Sequence, residues 1–332
     1  MKKWKIAVSV MLVIFGLGFL SPAFVTDIER QTLDDRVRAG QGGKYARLTD
    51  GVVHFDLDGP VGGPEVVLIH GLTSPYEIWD DTASFLAKNG FRVLRYDLFG
   101  RGLSDRPESG TYDLGFYLRQ LNDLLSIAGF RDQVSVIGVS MGSLIAAYFA
   151  DQHAHRVTHL GLIGPAGFGV PFQMNALITA LRFGGPLTEW FARLIWMDFL
   201  KEAPENMFFD QSVVDRYLPA FTPQTRFPGY RRAILRSIAN MPVQDFIETH
   251  SKVGKNPRPV LILWGNRDTV TPIDGPLAAA QAAYPSAQIA VLKDVGHVAQ
   301  YEAPDQANPV ILKFLRQGRA PSDHAAKQSS PK

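Results

Sequence analysis

The chain has 332 residues, 46% of them hydrophobic, no cysteine and a formal net charge of +2. Those figures exclude disulfides, a thiol nucleophile and a lipid-modified cysteine, and so small a charge speaks against a nucleic-acid partner. A chain of this length can bury one large core and still carry an insertion.

At the amino terminus Met1-Lys-Lys-Trp-Lys5 is basic, and Ile6 to Leu20 is an apolar region of fifteen residues, broken by Ser9 alone. Residues 1–25 read as a signal peptide cleaved after Ala23, or as an uncleaved anchor, because Ser21 to Val25 extend the run to about twenty residues. Either reading makes the catalytic body extracytoplasmic: periplasmic or secreted if cleaved, held at the membrane by residues 1–25 if not. Residues 26–43 form a polar stem.

Beyond it, apolar runs alternate with amphipathic ones. Strands are expected at Lys44–Arg47, Val52–Asp56, Val66–Ile69, Phe91–Tyr96, Val134–Val139, Val157–Ile163, Val260–Trp264 and Ile289–Leu292. Helices are expected at Glu77–Lys88, Leu114–Ile127, Met141–Asp151, Asp274–Ala283 and Asp305–Arg316. That alternation predicts a mostly parallel sheet covered on both faces. It lapses between residues 166 and 251, which hold no clear strand but are dense in Phe168, Phe172, Met174, Leu177, Phe183, Trp190, Phe191, Trp196, Phe199, Phe208, Phe209, Tyr217, Phe221 and Phe227. A helical cap, 166–251, is therefore expected after the sixth strand, splitting the body into 44–165 and 252–317. Residues 318–332, rich in Ser, Pro, Ala and Lys, read as a disordered tail.

Gly138-Val-Ser140-Met-Gly142 lies between a β-branched strand and an apolar helix, the context in which G-x-S-x-G carries chemistry. A serine on so tight a turn takes strained backbone angles, and a Cβ at either glycine would meet the neighbouring strand or helix. Ser140 is the candidate nucleophile. A nucleophilic serine needs a base, and the base an orienting group. Asp268 stands in the polar loop after the strand ending at Trp264, and His297 in the loop after the strand ending at Leu292. His297 is the candidate base and Asp268 the candidate acid. Asp294 reads as shaping the turn before His297, and Asp274 as capping the next helix. The amides of Leu72 and Met141 are the candidate oxyanion donors, with His70 bracing the first of those loops. Asp97, in Asp97-Leu-Phe-Gly100-Arg-Gly102-Leu-Ser104, reads as a structural turn cap.

His70-Gly71 with Trp79, the Asp97–Ser104 stretch, Gly138–Gly142 and the Asp268 and His297 loops together resemble the α/β-hydrolase fold family of serine hydrolases, over about residues 45 to 317. The resemblance implies an eight-stranded, mostly parallel sheet with helices on both faces and the chain order serine, acid, histidine. It implies cofactor-free, metal-free hydrolysis of carboxylic esters through an acyl-enzyme. A C–C bond hydrolase, a thioesterase or amidase and a perhydrolase share that triad, and a slow ligand-binding receptor is the reading from another class. Serine rather than aspartate at position 140 argues against a haloalkane dehalogenase or an epoxide hydrolase. The aromatic cap predicts an apolar pocket and a small apolar ester as substrate. Arg101, Arg119 and Arg267 are the residues that could meet a carboxylate. His153, His155 and His159 read as surface residues rather than metal ligands.

Overall fold

Runs of valine, isoleucine and leucine, punctuated by glycine and polar turns, make eight strands in the computed structural model, which describes residues 21–130, 133–169, 179–182, 187 and 189–318. They are β1 (Lys44–Leu48), β2 (Gly51–Asp58), β3 (Glu65–Ile69), β4 (Arg92–Tyr96), β5 (Val134–Val139), β6 (Val157–Ile163), β7 (Val260–Gly265) and β8 (Gln288–Leu292). All eight join one sheet in the order β1-β2-β4-β3-β5-β6-β7-β8. The β1–β2 and β2–β4 pairs are antiparallel, and every later pair is parallel.

The helices are α1 (Asp35–Ala39), α2 (Asp80–Lys88), α3 (Leu114–Ile127), α4 (Met141–Gln152), α5 (Trp196–Met207), α6 (Ser212–Gln224), α7 (Tyr230–Asn240), α8 (Ile247–Gly254), α9 (Pro276–Ala283), α10 (Ala299–Glu302) and α11 (Pro304–Leu315). Successive strand residues point to opposite faces, and the core divides accordingly. Val67 and Ile69 of β3, with Ile262 and Trp264 of β7, pack among α3, α4, α8 and α9. Val66 and Leu68, with Leu261 and Leu263, pack among α2, α11 and residues of α5, α6 and α7. Central strands buried on both sides account for the continuous burial of β5 and β7 and for their mainly apolar sequences.

Helix starts depart from expectation in two places. The helix expected from Glu77 begins as a 3-10 turn, Tyr76–Trp79, before α2. The helix expected from Asp274 starts at Pro276 with Gly275 as its cap, so Asp274 does not cap it. Proline bars helical angles at the residue before it while suiting the first helical position itself.

Residues 166–251 contain no named strand among those described, only a bridge between Phe168 and Asp245. With the Phe246 N–H donating to the Gly167 carbonyl, that bridge ties the two ends of the insert together. Helix α8 packs on α4 and α9, which places the return to the body near residue 246 rather than 252. Phe172, Met174, Leu177 and Phe183 fall outside the described residues. Of the other aromatics, Phe168, Trp196, Phe208, Tyr217, Phe221 and Phe227 are buried.

The apolar run up to Leu20 and the tail beyond Gly318 also lie outside the described residues. Among the described residues no helix is long and apolar enough to cross a membrane. The polar stem is bound to the insert: Asp27 pairs with Arg193 and Arg231, and Glu29 accepts from the amides of Gly229 and Arg231. One surface expectation fails. His159 is buried, with Nε2 bonded to the Gln317 carbonyl at 2.9 Å and the ring edge-on to Phe314.

Candidate active site

Ser140 sits between β5 and α4 with φ 54° and ψ −122°, a conformation that costs a non-glycine residue about 1–3 kcal/mol. The flanking glycines make the turn fit. A Cβ on Gly138 would lie 2.2 Å from the Gly142 carbonyl oxygen, and one on Gly142 would lie 2.4 Å from that of Ile69. The Ser140 amide donates to the Ile163 carbonyl at 2.9 Å, and its own carbonyl accepts from the Ser143 amide. The side chain is left half-buried at the floor of a cavity of about 390 Å³.

His297 lines the same cavity. Its Nδ1 meets Asp268 Oδ2 at 2.7 Å, with both side chains buried. An Nδ1–H donated to a carboxylate leaves Nε2 as the basic nitrogen. Burial works to raise the Asp268 pKa, but the charge and hydrogen bond of His297 and two bonds from Thr271 outweigh it and hold the carboxyl below its ordinary value. Asp268 Oδ1 accepts from the amides of Val270 and Thr271, and Oδ2 also accepts from Thr271 Oγ1 at 2.8 Å. Thr271 was not foreseen; an acidic residue followed three positions later by threonine is a loop-capping spacing that could have revealed it. On the far side, the His297 amide donates to the Met207 carbonyl at 2.8 Å, tying this loop to the end of α5. Asp294, with φ 55° and its amide bonded to Asn266, shapes the turn before it.

Leu72 belongs to the cavity wall. Met141 is the first residue of α4, where an amide has no acceptor within the helix. Gly71 brings the β3 loop against the serine: a Cβ there would be 3.3 Å from Ser140 Cβ. His70 is fully buried, and burial pushes its pKa down to about 4, so the ring is neutral at pH 7. The Leu98 amide donates to Nε2 at 2.8 Å, so Nδ1 carries the proton and donates to the Gly71 carbonyl.

The carbonyls behind the candidate donors are gripped from two sides. Arg101 Nε donates to the Leu72 carbonyl at 2.8 Å, while Gln224 Nε2 and the Tyr230 hydroxyl donate to that of Thr73 at 2.9 and 3.0 Å. Arg101 is completely buried, and its other bonds go to the Phe99 carbonyl, the Tyr117 hydroxyl and Ser237 Oγ. Among the described residues no carboxylate pairs with it. Arg119 pairs with Asp50 and Arg267 with Asp294. None of the three arginines that could have met a substrate carboxylate lines the cavity.

The walls come from four elements: the β3 loop (Gly71–Ser74), α5 (Phe199, Ala203, Asn206 and Met207), the β7 loop (Thr269 and Val270) and Val298. The lining is mainly apolar, and the α5 positions were not singled out as a set in the sequence. Asp97 lies outside the cavity. Its Oδ1 accepts from the Tyr76 amide, and its Oδ2 from the Leu103 amide and His54 Nδ1. That histidine was not foreseen.

Comparison with known proteins bears on the fold and its family. Residues 64–304 match the family model described as alpha/beta hydrolase fold. The chain is 29% identical over 280 residues to a 2-hydroxy-6-oxononadienedioate/2-hydroxy-6-oxononatrienedioate hydrolase of Dechloromonas aromatica, covering 82% of this chain and 94% of the relative. It is 28% identical over 278 residues to Lipase 3 of a Moraxella species, covering 81% and 82%. Among solved structures, a bromoperoxidase from Bacillus anthracis superposes with a TM-score of 0.69 at 20% identity, covering 83% of this chain and all of that one. The chain belongs to the α/β-hydrolase fold family and is a hydrolase of that fold.

Proposed function

We propose that the protein hydrolyses carboxylic esters with apolar acyl groups through an acyl-enzyme on Ser140. One observation carries the reading: the strained serine opens onto a mainly apolar cavity that it shares with a histidine whose Nδ1 is held by a buried aspartate. In this reading His297 Nε2 takes the hydroxyl proton as Ser140 Oγ attacks the ester carbonyl. The oxyanion is received by the amides of Leu72 and Met141. His297 then protonates the departing alcohol, and later activates the water that releases the acid. Asp268 keeps the ring in the productive tautomer throughout.

The Dechloromonas relative supports a second reading, cleavage of a C–C bond. Its name specifies a dioate, with two carboxylates to be held. No lysine or arginine is among the described residues lining this cavity, so the ester reading takes precedence.

The test is turnover of p-nitrophenyl esters of graded chain length, with a fluorophosphonate to count active serines. Ser140→Ala should lose at least about 10⁴-fold in kcat and all labelling. Wild-type turnover by that variant would overturn the mechanism. Faster cleavage of the dioate than of any ester would put the second reading in its place.

A further inference from the structure

The ester reading does not use the start of α5. There, Leu194, Ile195 and Met197 are 46%, 57% and 51% exposed, although Trp196 between them is buried. Such a run at a helix start presents apolar surface to the outside without any need of the core. Phe24, 83% exposed, stands beside it: the 3-10 turn Ser21–Phe24 packs against the turn Ala192–Leu194, and Val25 to Ile28 gather around Met197, Arg193 and Arg231. The ion pairs of Asp27 with Arg193 and Arg231 pin that junction. Contiguous exposed apolar surface on one face marks a contact with something.

We propose that this face is a membrane-docking surface, seated on the lipid bilayer that receives residues 6–20. The length and position of that segment single out the occupant. An apolar run of fifteen residues is shorter than the roughly twenty that a segment needs to cross the hydrocarbon core. A bilayer that takes up residues 6–20 therefore draws the next apolar residues, Phe24 and Val25, to its boundary. Phe24 is only four residues beyond Leu20, at most about 14 Å along an extended chain. Leu194, Ile195 and Met197 share that boundary because the stem is pinned to the insert. The exposed charges on α5, Asp198, Lys201, Glu202 and Glu205, are three acids and one base, which suits a zwitterionic rather than an anionic lipid surface. The same helix runs on to Phe199, Ala203, Asn206 and Met207 in the cavity wall, which places the catalytic mouth near the lipid.

The chain has no cysteine, so single-cysteine variants report one place each. Full-length Ile195→Cys and Met197→Cys, labelled with an environment-sensitive fluorophore, are reconstituted with phosphatidylcholine vesicles carrying nitroxide-labelled lipid. Val61→Cys, 91% exposed in the loop before β3 and at the opposite end of the sheet from the serine, is the control. Positions 195 and 197 should lose about half their emission or more to the lipid quencher, and position 61 little. Absence of quenching at 195 and 197 in vesicle-bound protein overturns the proposal. A blue-shifted signal before vesicles are added also overturns it: concentration dependence of the shift would assign the face to a second copy of the chain, and concentration independence to residues 6–20 folded back. Docking does not rest on the ester chemistry, so a Ser140→Ala background should quench equally.

Discussion

Among the described residues there are two buried histidine–aspartate pairs of the same length. His297 and Asp268 meet at 2.7 Å, and so do His54 and Asp97. Both carboxyls are held below their ordinary pKa by the histidine partner against the pull of burial. The difference lies at the other ring nitrogen. His54 Nε2 faces the Gly42 carbonyl at 2.9 Å and the Tyr76 hydroxyl at 3.4 Å, so both nitrogens are engaged by oxygen acceptors. Burial opposes a charge on that ring, yet the Asp97 bond and charge prevail and raise its pKa. With both ring nitrogens occupied, His54 has none left to take a proton from a substrate. His297 has one acceptor of this kind, and its ring lines a cavity that also holds a serine. A histidine–aspartate pair is therefore a structural module until something reactive adjoins its second nitrogen.

The sharpest way to break the comparison is to give both histidines the same substitution. His297→Gln should lower kcat/KM for p-nitrophenyl butyrate by about 10⁴-fold and cost less stability than the same change at His54, because Asp268 keeps its bonds from Val270 and Thr271. His54→Gln should do the reverse. Activity per folded molecule stays within about threefold, while stability falls by about 3–5 kcal/mol because Asp97 is left as an uncompensated buried charge. Equal losses of activity in the two variants would show that the pairs are not separable.

A smaller effect is expected where the body and the insert meet behind Leu72. Arg101→Met frees the Leu72 carbonyl and removes the guanidinium that spans to Tyr117 and Ser237. Losing one oxyanion donor outright costs about 10²–10³ in kcat, so a loop that drifts without losing its donor should cost about tenfold. KM should stay within about twofold. Active-site titration separates this from partial unfolding, which reduces the number of labelled serines rather than the rate per serine.

What could be read in the sequence follows from where the information sits. The G-x-S-x-G turn was legible because two glycines two residues from a serine have a steric cause that lies wholly within one segment and its neighbouring strand. The strands were legible because burial on both faces leaves a continuous apolar run. Arg101 could not be placed, since its four acceptors come from residues 72, 99, 117 and 237, and nothing local marks a buried cation. It reads as a residue that could meet a carboxylate and is instead a brace. His54 stayed hidden for the same reason, its partners lying 12 and 43 residues away in the chain. Polar residues that act through long-range neutral contacts leave no periodicity.

The finest test of the comparison is a titration beside the sealed pair. Glu77, in the turn before α2, has a buried Oε2 with no hydrogen-bond partner. Burial first, then the charge on Asp97, pushes its pKa from 4.5 up to about 8. Between those values the folded protein keeps a proton that the unfolded chain has released, so this group's contribution to stability falls as pH rises and levels off above about 8. His54, also raised, adds a decline in the same sense above 6.5. Glu77→Gln removes the first contribution and keeps the second. The melting temperature of the variant should therefore gain on wild type steadily from pH 5 to pH 8, with the gap constant beyond. Ester turnover should not follow that trend, because Glu77 has no contact with the cavity. A gap that does not change with pH would show that Glu77 is ionised in the fold, and that the sealed pair tolerates a second charge beside it.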